Sequence, residues 1–260
     1  MVKNLSKKIY LALIYIFLYA PIIFLIIFSF NSEKSSAKWG HFTLDWYSAL
    51  FNDDRILKAL SNTVTVAIVA SLISTILGTL SAIGINNMNT WLKKVTLNIN
   101  YLPIINPDIV TAISLMTLFI FFKVTFGYTT LILAHIVFCT PYVIISVLPK
   151  LKQMPEDIIK ASYDLGATPM YTFIKVILPQ IKPGILAGLL IAFTMSIDDF
   201  VISFFNVGSG VTNLSIEIFS MARRGVSPTI NALSTLMFIT IFLLLILANK
   251  KSLTKNKEVN

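Results

Sequence analysis

Long apolar runs bounded by charged residues recur along the chain. A bilayer core about 30 Å thick needs roughly 20 apolar residues per spanning helix. Six such runs are present, Ile9–Phe30, Thr63–Ile85, Val95–Phe122, Thr129–Leu148, Gly184–Phe205 and Ile230–Ala248, and they take up about half of the chain. The pattern predicts an all-α, polytopic membrane protein with six transmembrane helices, organised as one transmembrane domain over residues 1–260. Lys3, Lys7 and Lys8 precede the first run as they would in a signal peptide. That run exceeds the usual apolar region of about 7–15 residues and ends in Phe30-Asn31-Ser32-Glu33, without a small-x-small cleavage site, so an uncleaved anchor is expected.

Composition agrees with the pattern. Hydrophobic residues make up 56% of the chain and charged residues 13%, against about 25% charged in a typical soluble domain. The net charge of +9 would suggest nucleic acid in a soluble protein. Here, placing the N-terminus in the cytoplasm puts 14 Lys and Arg inside and 7 outside. That bias predicts an N-in, C-in topology, assigns most of the charge to orientation, and argues against a nucleic-acid partner. A single cysteine, Cys139, and only two histidines, His41 and His135, exclude a disulfide framework, a thiolate cluster within one chain and an H-E-x-x-H zinc site, so no metal is expected.

Two polar segments are too long to be simple turns. Asn31–Asn62 lies outside and carries Trp39, Phe42, Trp46, Tyr47, Leu50 and Phe51 among charges, which fits either a short amphipathic helix at the outer interface or an aromatic belt. The other is Pro149–Pro183, 35 residues on the cytoplasmic side. Its punctuation predicts two short helices. Pro155 at a first helical position, with Glu156 and Asp157 after it, opens one, and Gly166 ends it. Thr168 caps a second, with Pro169 at its first position, and Leu178-Pro179 is expected to close it. Ile158, Ala161, Ser162 and Leu165 share a face of the first helix, a narrow surface suited to a groove on another protein or to the membrane surface.

Lys160-Ala161-Ser162-Tyr163-Asp164-Leu165-Gly166-Ala167, followed by Val176-Ile177-Leu178-Pro179, resembles the EAA loop of the membrane subunits of bacterial ABC importers. The family's usual acidic first residue is Lys160 here. Further motifs extend the likeness from the third run to the sixth. These are Asn106-Pro107-Asp108-Ile109-Val110, Asp198-Asp199-Phe200-Val201, and Gly225-Val226-Ser227-Pro228 with Asn231-Ala232-Leu233. In this order they resemble spermidine/putrescine importer permeases of the PotC type. The resemblance implies a type I ABC importer permease (MetI-like) fold in a bacterial inner membrane, translocating polyamines. It implies a second homologous permease, two copies of an ABC ATPase and an extracytoplasmic polyamine-binding protein as partners. The loop, 149–183, would seat the ATPase through Ile158, Lys160, Ala161, Ser162, Asp164, Leu165, Gly166, Ala167, Leu178 and Pro179. With no G-x-x-x-x-G-K-[ST] in the chain, ATP and Mg are expected on the partner ATPase and no cofactor on this one.

The acidic residues of the apolar runs stand out on physical grounds. An ionised Asp near a helix centre costs roughly 2.5–3.5 kcal/mol, so such groups face a cavity or a partner and mark a pathway. Asp108, Asp198 and Asp199 are the candidates. On one continuous helix Asp198 and Asp199 lie about 100° apart, so one would line a cation path and the other hold a neighbouring helix or backbone donor. Pro103 and Pro107 predict a kink in the third run, freeing carbonyls beside Asp108. Tyr101, Phe200, Phe204 and Phe205 offer aromatic faces to an ammonium group, each worth about 0.5–2 kcal/mol, or simply pack. Glu217 in the outer segment either meets an incoming cation or is a solvated charge, while Arg223 and Arg224 suit an acidic rim on the binding protein or partner permease. Ser227-Pro228 should open the last helix. His135 fits a hydrogen-bonded packing role better than a proton relay.

Other functions use fewer of these features. An importer permease for another small substrate would share the loop. An intramembrane aspartyl enzyme using Asp108 and Asp199 as a dyad leaves the loop unexplained. A secondary transporter would show internal repeats or paired broken helices, and the sequence shows none.

Overall fold

The computed structural model describes residues 2–34, 38–225 and 227–257, and the regular elements among them are all helices. Four of the six predicted apolar runs each fall on one helix. The first is α1 (Val2–Phe28), the second α3 (Asp54–Asn86), the fourth α6 (Tyr128–Gln153) and the sixth α12 (Pro228–Lys257). Between α1 and α3 lies a short helix, α2 (Asp45–Phe51). Val226, one residue of the predicted motif before α12, lies outside the described residues.

The third and fifth runs depart from expectation. In place of a kinked Val95–Phe122 span there are α4 (Thr90–Ile105) and α5 (Asp108–Phe121), which meet at 105° across Asn106-Pro107. Asn106 is extended, because the proline that follows it bars it from the α region. In place of one helix over Gly184–Phe205 there are α9 (Leu178–Asp198) and α10 (Val201–Asn206), separated by Asp199 and Phe200.

The cytoplasmic loop folds as α7 (Glu156–Asp164), preceded by Pro155 in extended conformation, and α8 (Pro169–Thr172). Leu178-Pro179 does not close α8, contrary to expectation. A π-helical turn, Phe173–Ile177, carries the helix directly into α9, and the Leu178 N–H donates to the Phe173 carbonyl five residues back. The wide turn displaces the carbonyls that a proline ring would otherwise strike, so the helical path runs unbroken from Pro169 to Asp198.

The chain divides into two compact units, Met1–Leu57 with Glu217–Asn260, and Lys58–Ile216. In the first, α12 packs on α1 and α2. The tail of α1 is tied to the outer segment: the Trp46 indole donates to the Asn31 carbonyl at 2.8 Å, and Tyr47 Oη lies 2.7 Å from Ser29 Oγ. Phe42 stacks on Phe30. The aromatic residues are therefore partly occupied in holding the segment onto the helix end.

The second unit is built around α6, whose buried Ala134, Phe138, Val143, Val147 and Leu151 pack with Ala82, Ala112, Phe119, Ile181 and Ala192. Its most extensive partner is α9. Gly184 and Gly188, four residues apart, let the two backbones meet. A Cβ on Gly184 would come within 3.0 Å of the Ser146 carbonyl, and one on Gly188 within 3.2 Å of Val143 Cα. In lipid this close approach, rather than a hydrophobic drive, holds helices together.

Candidate functional site

The acidic pair sits at the break between α9 and α10. The sequence there offers neither proline nor glycine, and the break is made by Asp199 itself. Its backbone turns extended and its carboxylate accepts the Ile202 N–H at 3.1 Å and the Ser203 N–H at 2.8 Å. These are N–H groups that the first turn of α10 leaves without carbonyl partners, so the side chain starts a new helix. Asp199 is 9% exposed.

A buried polar network surrounds it. His135 of α6 lies with Nδ1 2.7 Å from Ser196 Oγ, Nε2 3.0 Å from Ser203 Oγ and Nε2 3.6 Å from Asp199 Oδ2. Asn213 donates to Ser203 Oγ at 2.6 Å, and Asn206 donates to the carbonyls of Ala112 and Ile202. Ser196, Ser203, Asn206 and Asn213 were not singled out from the sequence. The signal that could have found them is a set of polar residues flanking two aspartates in an otherwise apolar run. In a membrane such groups must find partners internally: Ser196, Ser203 and Asn213 are linked to His135 and to one another, while the Asn206 amide turns to backbone carbonyls and leaves its Oδ1 buried without a hydrogen bond.

Asp198 is placed differently. It ends α9 with an exposed side chain. Asp108, also exposed, is the first residue of α5, where the helix N-terminus favours a carboxylate. It is close enough to act electrostatically on Asp199 and Tyr142. Tyr101 is exposed near the end of α4. Phe204 is exposed, with Phe200 and Phe205 each a little over 5 Å away between ring centroids, at 5.3 Å and 5.4 Å. The helix breaks at 106–107 and 199–200 thus bring a carboxylate to the start of α5 and another to the end of α9, within the same unit.

On the cytoplasmic loop, α7 ends in a Schellman motif. Gly166 adopts φ 79°, its N–H donates to the Tyr163 carbonyl and the Ala167 N–H to that of Ser162. Thr168 caps α8 by accepting the Tyr171 N–H at 3.3 Å. Ser162 Oγ lies 2.8 Å from Thr172 Oγ1, and Thr172 is buried, so Ser162 fastens α7 to α8. Asp164 and Ala161 are exposed, Ala167 and Leu178 half-buried, and Pro179 exposed. Leu165 is 88% exposed, in a surface that also presents Ile158, Tyr163, Met170 and Tyr171. Lys160 Nζ lies 3.7 Å from Asp157 on the solvent side.

The outer candidates belong to the other unit: Glu217 and Arg223 lie on the part of α11 (Leu214–Arg223) from Glu217 onward, and Arg224 directly follows it. Glu217 is half-buried and within electrostatic reach of Arg55. Arg223 lies 5.9 Å from the centre of the Phe219 ring, and Arg224 donates to the Ser220 carbonyl. Both arginines are exposed.

A family model for the binding-protein-dependent transport system inner membrane component matches residues 74–250. The chain is 35% identical over 257 residues, 99% of its own length and 97% of the other, to the spermidine/putrescine transport system permease protein PotC of Escherichia coli (strain K12). It is 37% identical over 248 residues, 91% and 86% of the two lengths, to the putrescine transport system permease protein PotI of the same organism. Its fold matches a chain of a bacterial ABC transporter involved in the import of the acidic polysaccharide alginate, with a TM-score of 0.77 at 12% identity over 96% of both chains. The chain belongs to the family of binding-protein-dependent transport system inner membrane components.

Proposed function

We propose that this permease subunit carries polyamines, spermidine or putrescine, into the cell, in a complex with a second permease, two copies of an ABC ATPase and an external polyamine-binding protein. Likeness along nearly the whole chain to two polyamine permeases is the observation that carries the substrate class. The geometry supports it. A polyamine is an elongated polycation and needs spaced acceptors, and Asp108 and Asp198 offer exposed carboxylates at two separate helix breaks. Asp199 is engaged by backbone N–H groups, which leaves Asp198 as the member of the pair that meets the cation. Tyr101, Phe200 and Phe204 supply aromatic faces along the way.

ATP acts from outside the chain. The ATPase seats on the apolar surface of α7 and α8 around Leu165, with Lys160 at its charged edge, and Arg223, Arg224 and Glu217 meet the binding protein or the partner permease. Uptake of labelled spermidine and putrescine by the reconstituted complex tests the reading. Asp198→Asn should cut ATP-dependent uptake by about tenfold, the effect of losing roughly one charge-assisted contact, with assembly intact. Normal uptake in Asp108→Asn, Asp198→Asn and the double variant overturns the pathway. Gly166→Pro cannot adopt the positive φ at the end of α7 and loses its N–H bond to Tyr163. It should abolish ATPase co-purification, and a fully retained ATPase would remove the coupling assignment.

A further inference from the structure

His135 is a buried titratable group that the transport reading leaves without a task. It belongs to α6, yet its two ring nitrogens reach two different helices: Nδ1 meets Ser196 on the last turn of α9, and Nε2 meets Ser203 in α10. Those serines lie on opposite sides of the Asp199-Phe200 break. The imidazole is planar and rigid, so bonding both serines sets the distance between the end of one helix and the body of the next. Packing holds the ring in turn, since His135 is fully buried in the helix at the centre of its unit. On the far side, Asn213 donates to Ser203 Oγ, so the second serine is held from two directions. The charged group facing the ring is Asp199, at 3.6 Å.

We propose that His135 is a positioning residue for substrate capture: by bridging Ser196 and Ser203 it fixes the break at Asp199-Phe200 and thereby the direction in which Asp198 leaves α9. The substrate part of this statement rests on the polyamine reading above, whereas the geometric part does not. Bonds from a buried ring to two hydroxyls are worth enough together, given that an unsatisfied buried partner is costly, to shift the placement of Asp198 by about tenfold in population.

The test separates the two parts. In the assembled complex, with Cys139→Ala removing the native thiol, Asp198→Cys is labelled with a cationic thiol reagent. Adding His135→Phe, which keeps a flat ring and removes both bonds, should change the labelling rate by about tenfold. His135→Gln, whose amide presents a donor and an acceptor to the same serines, should restore most of it. If the phenylalanine variant does not accumulate, Ser203→Ala removes one arm of the bridge and carries the same expectation. With Asp198 intact, His135→Phe should raise the KM for polyamine uptake about tenfold while kcat changes little, and His135→Gln should bring it back. An unchanged labelling rate in both His135→Phe and Ser203→Ala overturns the positioning role. Altered labelling with an unchanged KM keeps that role and instead removes Asp198 from the cation path.

Discussion

Adjacent aspartates divide the work at the α9 break. Asp199 accepts two backbone N–H groups and is buried, while Asp198 is exposed and ends its helix. Replacing the first should therefore cost stability, and replacing the second transport. Asp199→Ala is expected to lower the stability of the purified complex by about 0.5–2 kcal/mol, the usual loss of a helix cap, measured as a fall in its unfolding midpoint. Asp198→Ala should leave that midpoint unchanged. Equal destabilisation by both would mean that the two carboxylates are not divided in this way. The residue pattern announced two acids in an apolar run, but not their division, because neighbours on one helix differ only in azimuth. Carboxylate capping is a choice made by the backbone at Asp199, and the surrounding Ser196, Ser203, Asn206 and Asn213 come together only once α6, α9 and α10 pack.

At the scale of the elements, apolar run length located the helices, and Gly166 and Thr168 placed the turn between α7 and α8 because both act through their immediate neighbours. Proline was the less reliable guide. Pro107 accompanies a 105° turn, while Pro179 sits in an uninterrupted helical path because a π-helical turn precedes it. The difference depends on five residues of wider winding, which hydrophobicity does not report. Glycine spacing does carry information about packing. Gly188→Leu would place a branched side chain against Val143, where even a Cβ has only 3.1 Å to Val143 Cγ1. We expect the α6 and α9 pair to separate and the subunit to be lost from the assembled complex in detergent, whereas Gly84→Leu, at a site with nothing within 4 Å, should assemble normally. Comparable recovery of both variants would show that the close approach is dispensable.

For the whole molecule, the excess of basic residues in alternate segments orients the chain across the bilayer, and the single cysteine makes that orientation easy to read. With Cys139→Ala as background, Lys160→Cys should react with an impermeant thiol reagent only after the membrane is opened, and Lys34→Cys should react in intact cells. The reverse pattern would invert the topology and detach α7 and α8 from any cytoplasmic ATPase. One element then acquires a mechanical meaning. From Pro169, beside the exposed turn at Leu165, to Asp198 the backbone is helical at every residue, a rod of about 45 Å at 1.5 Å per residue. Helical backbone, with the π-helical turn and Pro179 and Pro183 along it, thus joins the loop to the carboxylate at the far end, so a displacement of the loop carried along that path would arrive at Asp198.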